Sequence, residues 1–538
     1  MNAFLEILVN GLLALWSGQV VLILILAAFC GWLQSPLKLA HCWRLAQRTL
    51  LFSMAVSGAV GVWLLLESAW PLAASVVESG RAFGLYPNGL SVWMAVMVSF
   101  IGWVILRYAD TYLRADPGRD RFLPWLLVII GSVLLLVTTS NLLILALAWV
   151  AISLALHHLL TLYQERPEAR LAAVQKFIFS RVGDALIFLG VGLLYAHHGT
   201  FVLPDIVAQT TAGGGVGPYP AAASVAFALA AVLKCAQIPF HGWLLRVMEA
   251  PTPVSALLHA GVINLGGFLW LRLFPVFEGF TTGHLILLAV GGATAVVAVL
   301  TMMTQYSVKH ALAWSTCAQM GFMLFEIGMG AYTLALLHLL AHSLYKAHSF
   351  LASGRTVAVS AARSFGPAPW PVRVTRAGAC MLVAAAVVVA IPQLVQGNAV
   401  LGAVLVLAVG AAALGIPSGT SRWMSWRLCA LAVALVPCYL LLHTLVAPAI
   451  PAHPAPVLPL SAYVIGWLMV MALVTGTVIT RLSPRYPMVR RLCTHFRQGL
   501  YLEAPLDHLT RVAAADALRA AALLRRTPHH PFRLEERS

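Results

Sequence analysis

The sequence predicts an all-α polytopic membrane protein with about fifteen transmembrane helices. Three observations predict it. Of 538 residues, 61% are hydrophobic and only 10% charged, whereas a soluble domain carries about 25% charged residues. Mean hydropathy is +0.88. Apolar runs approaching the ~20 residues that a spanning helix needs recur along the whole chain. A soluble fold of this composition would lack the polar surface to cover its core.

The apolar runs fall, in order, at 4–33, 50–66, 89–110, 122–139, 141–163, 175–196, 219–240, 253–275, 282–301, 310–328, 331–352, 377–396, 399–416, 426–446 and 459–480. The first carries Glu6 and no Lys or Arg up to Trp16. It lacks the basic start of a secretory signal and reads as a retained span. With the N-terminus outside, the odd-numbered loops hold the basic residues, among them Lys38, Arg44, Arg119, Arg246 and Arg373, while the opposite loops hold almost none. This one-sided sorting predicts a bacterial inner-membrane protein with a periplasmic N-terminus and a cytoplasmic basic tail. The net charge of +16 then describes loops facing anionic lipid, not a nucleic-acid groove.

Four regions follow: N-terminal membrane helices (1–84), a core (85–355), further membrane helices (356–480) and a basic tail (481–538). Within the tail, 505–526 has an amphipathic, Ala-rich helical pattern. A helix lying on lipid and a dock for a soluble partner are equally open readings. The eight cysteines are scattered with no CxxC pair and read as small core residues. No Gly-rich phosphate loop or nucleotide fingerprint points to NAD, flavin or iron–sulfur chemistry in this chain.

An ionisable side chain near the bilayer centre costs about 2.5–3.5 kcal/mol, so each one marks a functional hypothesis. Lys234 lies inside an apolar run, and Pro239 breaks the helix five residues on. A broken helix frees backbone groups and makes room for water, as an ion pathway requires. A desolvated Lys is suited to proton exchange. His259 in the next span can relay a proton, although a satisfied core histidine is the plain alternative. His338, His342 and Lys346, at i, i+4 and i+8, form a ladder about 12 Å long on one helical face. A metal site at the two histidines ranks behind, because no carboxylate or Cys lies nearby in sequence. Asp184 falls within a span three residues after Arg181. It is either a structural ion pair or a counter-charge for a buried Lys. Glu249, Pro239, Lys309 and Lys176 are further coupling or structural positions. No metal site is expected in this chain.

The stretch KCAQIPFHGWLLRVMEAPTPVSALLHA resembles the signature of the antiporter-like subunits of respiratory complex I and Mrp antiporters. So do SRVGDALIFLG, SVKHALAWSTCAQMGFM and LLHLLAHSLYKAHSFLASG. The resemblance implies an antiporter-like, proton-translocating core over roughly 85–355. It places Lys234 at the family's central buried Lys, Asp184 at its acidic position, and His259, His338, His342 and Lys346 along its midplane polar chain. Three departures stand out. Val150 occupies the position of the family's coupling Glu, so Glu249 or Asp184 must substitute or the coupling differs. Arg246 replaces the family's Asp after Trp-Leu-Pro. The spans at 377–396 and 399–416 contain no Lys or Glu for the usual outward half-channel.

Together with HFRQGLYLEAPLDHL in the tail, this pattern is similar to the DabB (MpsA-like) branch, the membrane half of a two-component inorganic carbon accumulator. That resemblance implies a DabA-like partner similar to a β-carbonic anhydrase. Zn2+ and the CO2 hydration chemistry would belong to that partner, and this chain would be a transporter subunit, not an enzyme. The coupling ion is H+ or Na+. The alternatives are an Mrp-type cation/proton antiporter subunit and a proton-pumping subunit of a complex I-like NADH:quinone oxidoreductase.

Overall fold

A computed structural model describes residues 2–32, 36–69, 75–163, 167–277, 279–354, 370–395, 398–416, 421–451, 456–482 and 486–512. The fold is all-helical. Its long helices, in chain order, are α1 (Asn2–Trp32), α2 (Pro36–Ala69), α3 (Gly89–Tyr112), α4 (Arg119–Thr138), α5 (Leu142–Leu160) and α6 (Pro167–His198). Next come α7 (Pro218–Lys234), the two short helices α8 (Thr252–Ala260) and α9 (Leu265–Leu273), then α10 (Thr282–Met302), α11 (Val308–Gly328) and α12 (Tyr332–Leu351). The last are α13 (Trp370–Ala390), α14 (Ala399–Leu414), α15 (Arg422–Val446), α16 (Leu460–Leu482) and α17 (Pro487–Arg497).

Eleven stretches of the described residues are long and apolar enough to cross a membrane, and α7 and α14 are shorter apolar helices. Candidate spans therefore number eleven to thirteen, where the apolar runs predict about fifteen. The difference lies in α11 and α12. Both are helices of spanning length, but they carry the polar side chains Lys309, Gln319, Glu326, His338, His342 and Lys346. A second correction concerns 219–240. The helix stops at Lys234 and the chain continues to His241 without helix. Pro239 has no N–H to continue a helical ladder, and Ala236 is in the left-handed region at φ 48°. The span at 253–275 is likewise divided, between α8 and α9 at Gly261.

Local chemistry sets several helix starts. Asn88, Asn141 and Ser307 accept backbone N–H bonds at the first turns of α3, α5 and α11. Small residues set the closest packing. A Cβ at Gly291 would stand 2.7 Å from the Gly321 carbonyl oxygen, so α10 and α11 touch backbone to backbone. The broken α8–α9 stretch is the most enclosed, 89% buried over its apolar window, against 17% for α13 and 22% for α16. The break therefore sits at the centre, and the later helices ring a second, smaller core.

Candidate functional site

Two groups of buried polar side chains meet around the central break. The first lies between α5, α6 and α7. Lys234 is the last residue of α7, where the helix dipole's negative end favours a cation. Its Nζ lies 2.5 Å from Asp184 Oδ1 on α6, and both side chains are buried. Arg181 Nη2 is 2.7 Å from the other carboxylate oxygen, a charge contact without hydrogen-bond alignment. One carboxylate thus faces two cations. The Trp149 ring adds a cation–π face 5.7 Å from Lys234 Nζ. Gly183 makes room for this lysine, since a Cβ there would fall 2.9 Å from Lys234 Cε. Lys176, about two helical turns before Asp184, donates to the Ser153 carbonyl (2.7 Å) and hydroxyl (3.1 Å). A cavity of about 30 Å³ lies between Lys176, Lys234, Ser153, Ser180, Trp149 and Trp243. That volume holds about one water.

The second group lies between α8, α11 and α12. His259, wholly buried, bonds through Nδ1 to the Thr316 hydroxyl at 2.9 Å. That hydroxyl donates onward to the Leu312 carbonyl at 3.1 Å, so His259 Nδ1 carries the proton and Nε2 is the basic nitrogen. Among the described residues, no group pairs with this Nε2. His342 Nε2 lies 3.2 Å from the His259 carbonyl oxygen. Lys346, also wholly buried, donates to Ser315 Oγ (2.7 Å) and the Leu312 carbonyl (3.1 Å). His338 has a carboxylate partner, Glu326, 2.9 Å from Nδ1. Gln319 Oε1 lies 2.6 Å from its Nε2. The His338 and His342 rings are 6.3 Å apart and face different partners. Among the described residues, no three His, Cys, Asp or Glu side chains converge on a metal position.

The structure therefore brings Lys234 together with Asp184, and His259 together with His342. It shows which carboxylate stands beside Lys234 when Val150 supplies none. Lys309 sits in the first turn of α11, apart from these contacts. Pro239 lies in the non-helical link after Lys234, its carbonyl 3.3 Å from His241 Nδ1. The Glu249 backbone is in a single 3₁₀ turn, and its side chain lies outside the described residues. Glu326 is the residue that the sequence reading passes over. It obeys the same rule that selects Lys234, an ionisable group inside an apolar run, and it supplies the carboxylate that seemed absent near His338.

Arg246 marks a third feature. It makes a bidentate ion pair with Asp507 of the tail. Gln175 closes the triangle, accepting from Arg246 Nη1 at 2.9 Å and donating to Asp507 Oδ1 at 2.6 Å. Glu503 approaches Arg246 at 3.8 Å. Gln305 donates to the Arg497 carbonyl at 3.0 Å. The described tail, 486–512, thus straps onto the helical core. The rest of the 505–526 pattern, from 513 on, lies outside the described residues.

A helical bundle with a broken central helix and buried lysines, histidines and carboxylates defines an antiporter-like membrane protein. The sequence profile described as "NADH:quinone oxidoreductase/Mrp antiporter, TM" matches residues 139–416, and "NADH-Ubiquinone oxidoreductase (complex I), chain 5 N-terminus" matches 79–123. A structure of the Mrp complex from Dietzia sp. superposes with a TM-score of 0.60 at 22% identity, covering 97% of this chain and 60% of that one. Among curated proteins, "Probable inorganic carbon transporter subunit DabB" of Hydrogenovibrio crunogenus is 41% identical over 66% of this chain and 67% of its own length. "Probable inorganic carbon transporter subunit DabB2" of Halothiobacillus neapolitanus is 37% identical over 85% and 86%. NADH-quinone oxidoreductase subunit L of Mycobacterium tuberculosis is 34% identical over 51% and 44%. The chain belongs to the DabB family of inorganic carbon transporter subunits, within the complex I and Mrp antiporter superfamily.

Proposed function

We propose that this chain is the ion-conducting membrane subunit of an energy-coupled inorganic carbon accumulator. H+ or Na+ passing through it would make CO2 hydration by a DabA-like, zinc-bearing partner effectively one-way, trapping bicarbonate inside. The observation that carries the reading is the buried Lys234–Asp184 pair at the end of a broken helix. An ion pair placed at a cost in low dielectric can change partners when a proton or cation arrives. His259, His342, Lys346 and His338 provide the further stations.

The energetics are sufficient. Hydration of CO2 releases a proton, and moving one charge through 100 mV supplies about 2.3 kcal/mol, close to a fiftyfold shift in equilibrium. In this reading the protein lies in a bacterial inner membrane with the N-terminus periplasmic and the tail cytoplasmic. The zinc hydroxide chemistry belongs to the partner.

The test is a mild-detergent pull-down from native membranes with mass spectrometry and zinc analysis. One large soluble partner carrying zinc is the expected result. Redox subunits, or a set of small antiporter subunits without zinc, would return the chain to the ion-pumping branches of the superfamily.

A further inference from the structure

Glu326 is costly twice over. It is buried within a helix of spanning length. It also stands in the last turn of α11, where the helix dipole disfavours an anion. Its partner, His338, has both ring nitrogens engaged. With the Gln319 carbonyl oxygen 2.6 Å from Nε2, that nitrogen holds its proton and donates. Nδ1 and Glu326 then share a single exchangeable proton.

This arrangement lets a proton move without stranding charge. A proton taken up at Nδ1 gives an imidazolium beside a carboxylate. Passing it to Glu326 leaves a neutral imidazole beside a carboxylic acid. The pair is neutral overall in both states, so its transfer avoids the penalty of an isolated ion in low dielectric.

A way out adjoins it. α15 packs against α12. Tyr439 of α15 packs against both hydrophobic cores, the second of which contains Phe325, the neighbour of Glu326. One turn further on, the His443 ring lies 5.7 Å from the Tyr439 ring and is partly exposed. Glu326 near the end of α11, His338 in the second turn of α12 and His443 near the end of α15 all lie toward the same ends of the bundle. Helices α13 and α14, by contrast, carry no Lys or Glu.

We propose that Glu326, paired with His338 and followed by Tyr439 and His443, is the outward-facing proton-exchange site of this subunit. The proposal rests on the ion-conducting reading given above. It makes α11 and α15, instead of α13 and α14, the walls of the outer half-channel.

The experiment measures inorganic carbon uptake by cells carrying the full complex, with wild type, Lys234→Ala, Glu326→Gln and Glu326→Asp compared at matched membrane abundance. The proposal expects Glu326→Gln to lower uptake by about a hundredfold, the low end of what a positioned proton-transfer group supplies. Glu326→Asp should restore at least part of it, which a packing role for the longer side chain would not allow. A His443→Cys variant in a Cys438→Ser background should react with a membrane-impermeant thiol reagent from the outside, and labelling should block uptake. Wild-type uptake by Glu326→Gln beside an inactive Lys234→Ala would overturn the exit site and leave the ion-conducting reading standing. Reaction of His443→Cys from the inside alone would also overturn it. Wild-type uptake by both Lys234→Ala and Glu326→Gln would remove the ion-conducting reading itself.

Discussion

Arg246 and Asp507 stand 261 residues apart in sequence and form a two-point ion pair. Both side chains are largely shielded, at 15% and 17% exposure. The core supplies the base of this pair and the tail supplies the acid. Removing one partner of a buried pair costs about 3–5 kcal/mol. Asp507→Ala should therefore free the tail, seen as faster proteolysis within 487–512 and a lower melting temperature in detergent. The exchange Arg246→Asp with Asp507→Arg should recover part of the loss. Equal proteolysis in all three proteins would mean that the pair does not hold the strap.

Burial pushes the Glu503 carboxyl above its usual value near 4.5, with Arg246 pulling the other way and Asp507 adding to the rise. The docked tail then binds more protons than the free one. The contribution of Glu503 to docking is therefore fully present below the free carboxyl's range and is lost as pH rises through the elevated docked value. Glu503→Gln should flatten this dependence and leave the strap better protected at neutral pH. Hydrogen exchange of 499–510 across the acidic range reads it directly.

Lys234→Ala should abolish carbon uptake while membrane insertion and partner recovery stay intact. Asp184→Asn should also impair uptake strongly, because it leaves Lys234 and Arg181 facing each other without their shared carboxylate. Uptake assays on both variants, with pull-down as the control, check this. Wild-type uptake by Lys234→Ala would remove the central role of that lysine.

Gly183→Ala tests the geometry without touching a charge. Its Cβ would meet Lys234 Cε at 2.9 Å. The flexible lysine can shift, so folding should persist, while the Nζ–Asp184 contact lengthens. A disturbance of about 1 kcal/mol corresponds to roughly a fivefold loss of uptake. Unchanged uptake would show that the amine's position is not critical.

Lys346→Ala or His338→Ala should weaken transport without altering the zinc content recovered with the partner. Uptake at the wild-type rate in both would make the α12 ladder structural.

The rule that ionisable groups inside apolar runs are exceptional located Lys234, Asp184, His259, His338, His342 and Lys346 from sequence alone. The same rule selects Glu326, which lies inside the run at 310–328 and pairs with His338. The pairing of Lys234 with Asp184 spans 50 residues and that of Arg246 with Asp507 spans 261. Hydrophobic periodicity carries no information at such separations. The end of α7 was also hidden, because residues 235–240 remain apolar after the helix has stopped. Likewise α11 and α12 are helices whose polar content sets them apart from ordinary lipid-facing spans.

The strap gives synthesis of this protein a definite order. Arg246 leaves the ribosome long before Asp507 exists, and at about 5–20 residues per second the interval is on the order of ten to fifty seconds. Through that time the guanidinium lacks the Asp507 carboxylate that it grips in the finished chain. Closure at Gln175, Arg246 and Asp507 is thus a late assembly step, and only a chain translated through Asp507 can complete it. A product cut short before that point would lack the Arg246–Asp507 closure that ties the tail to the helical core.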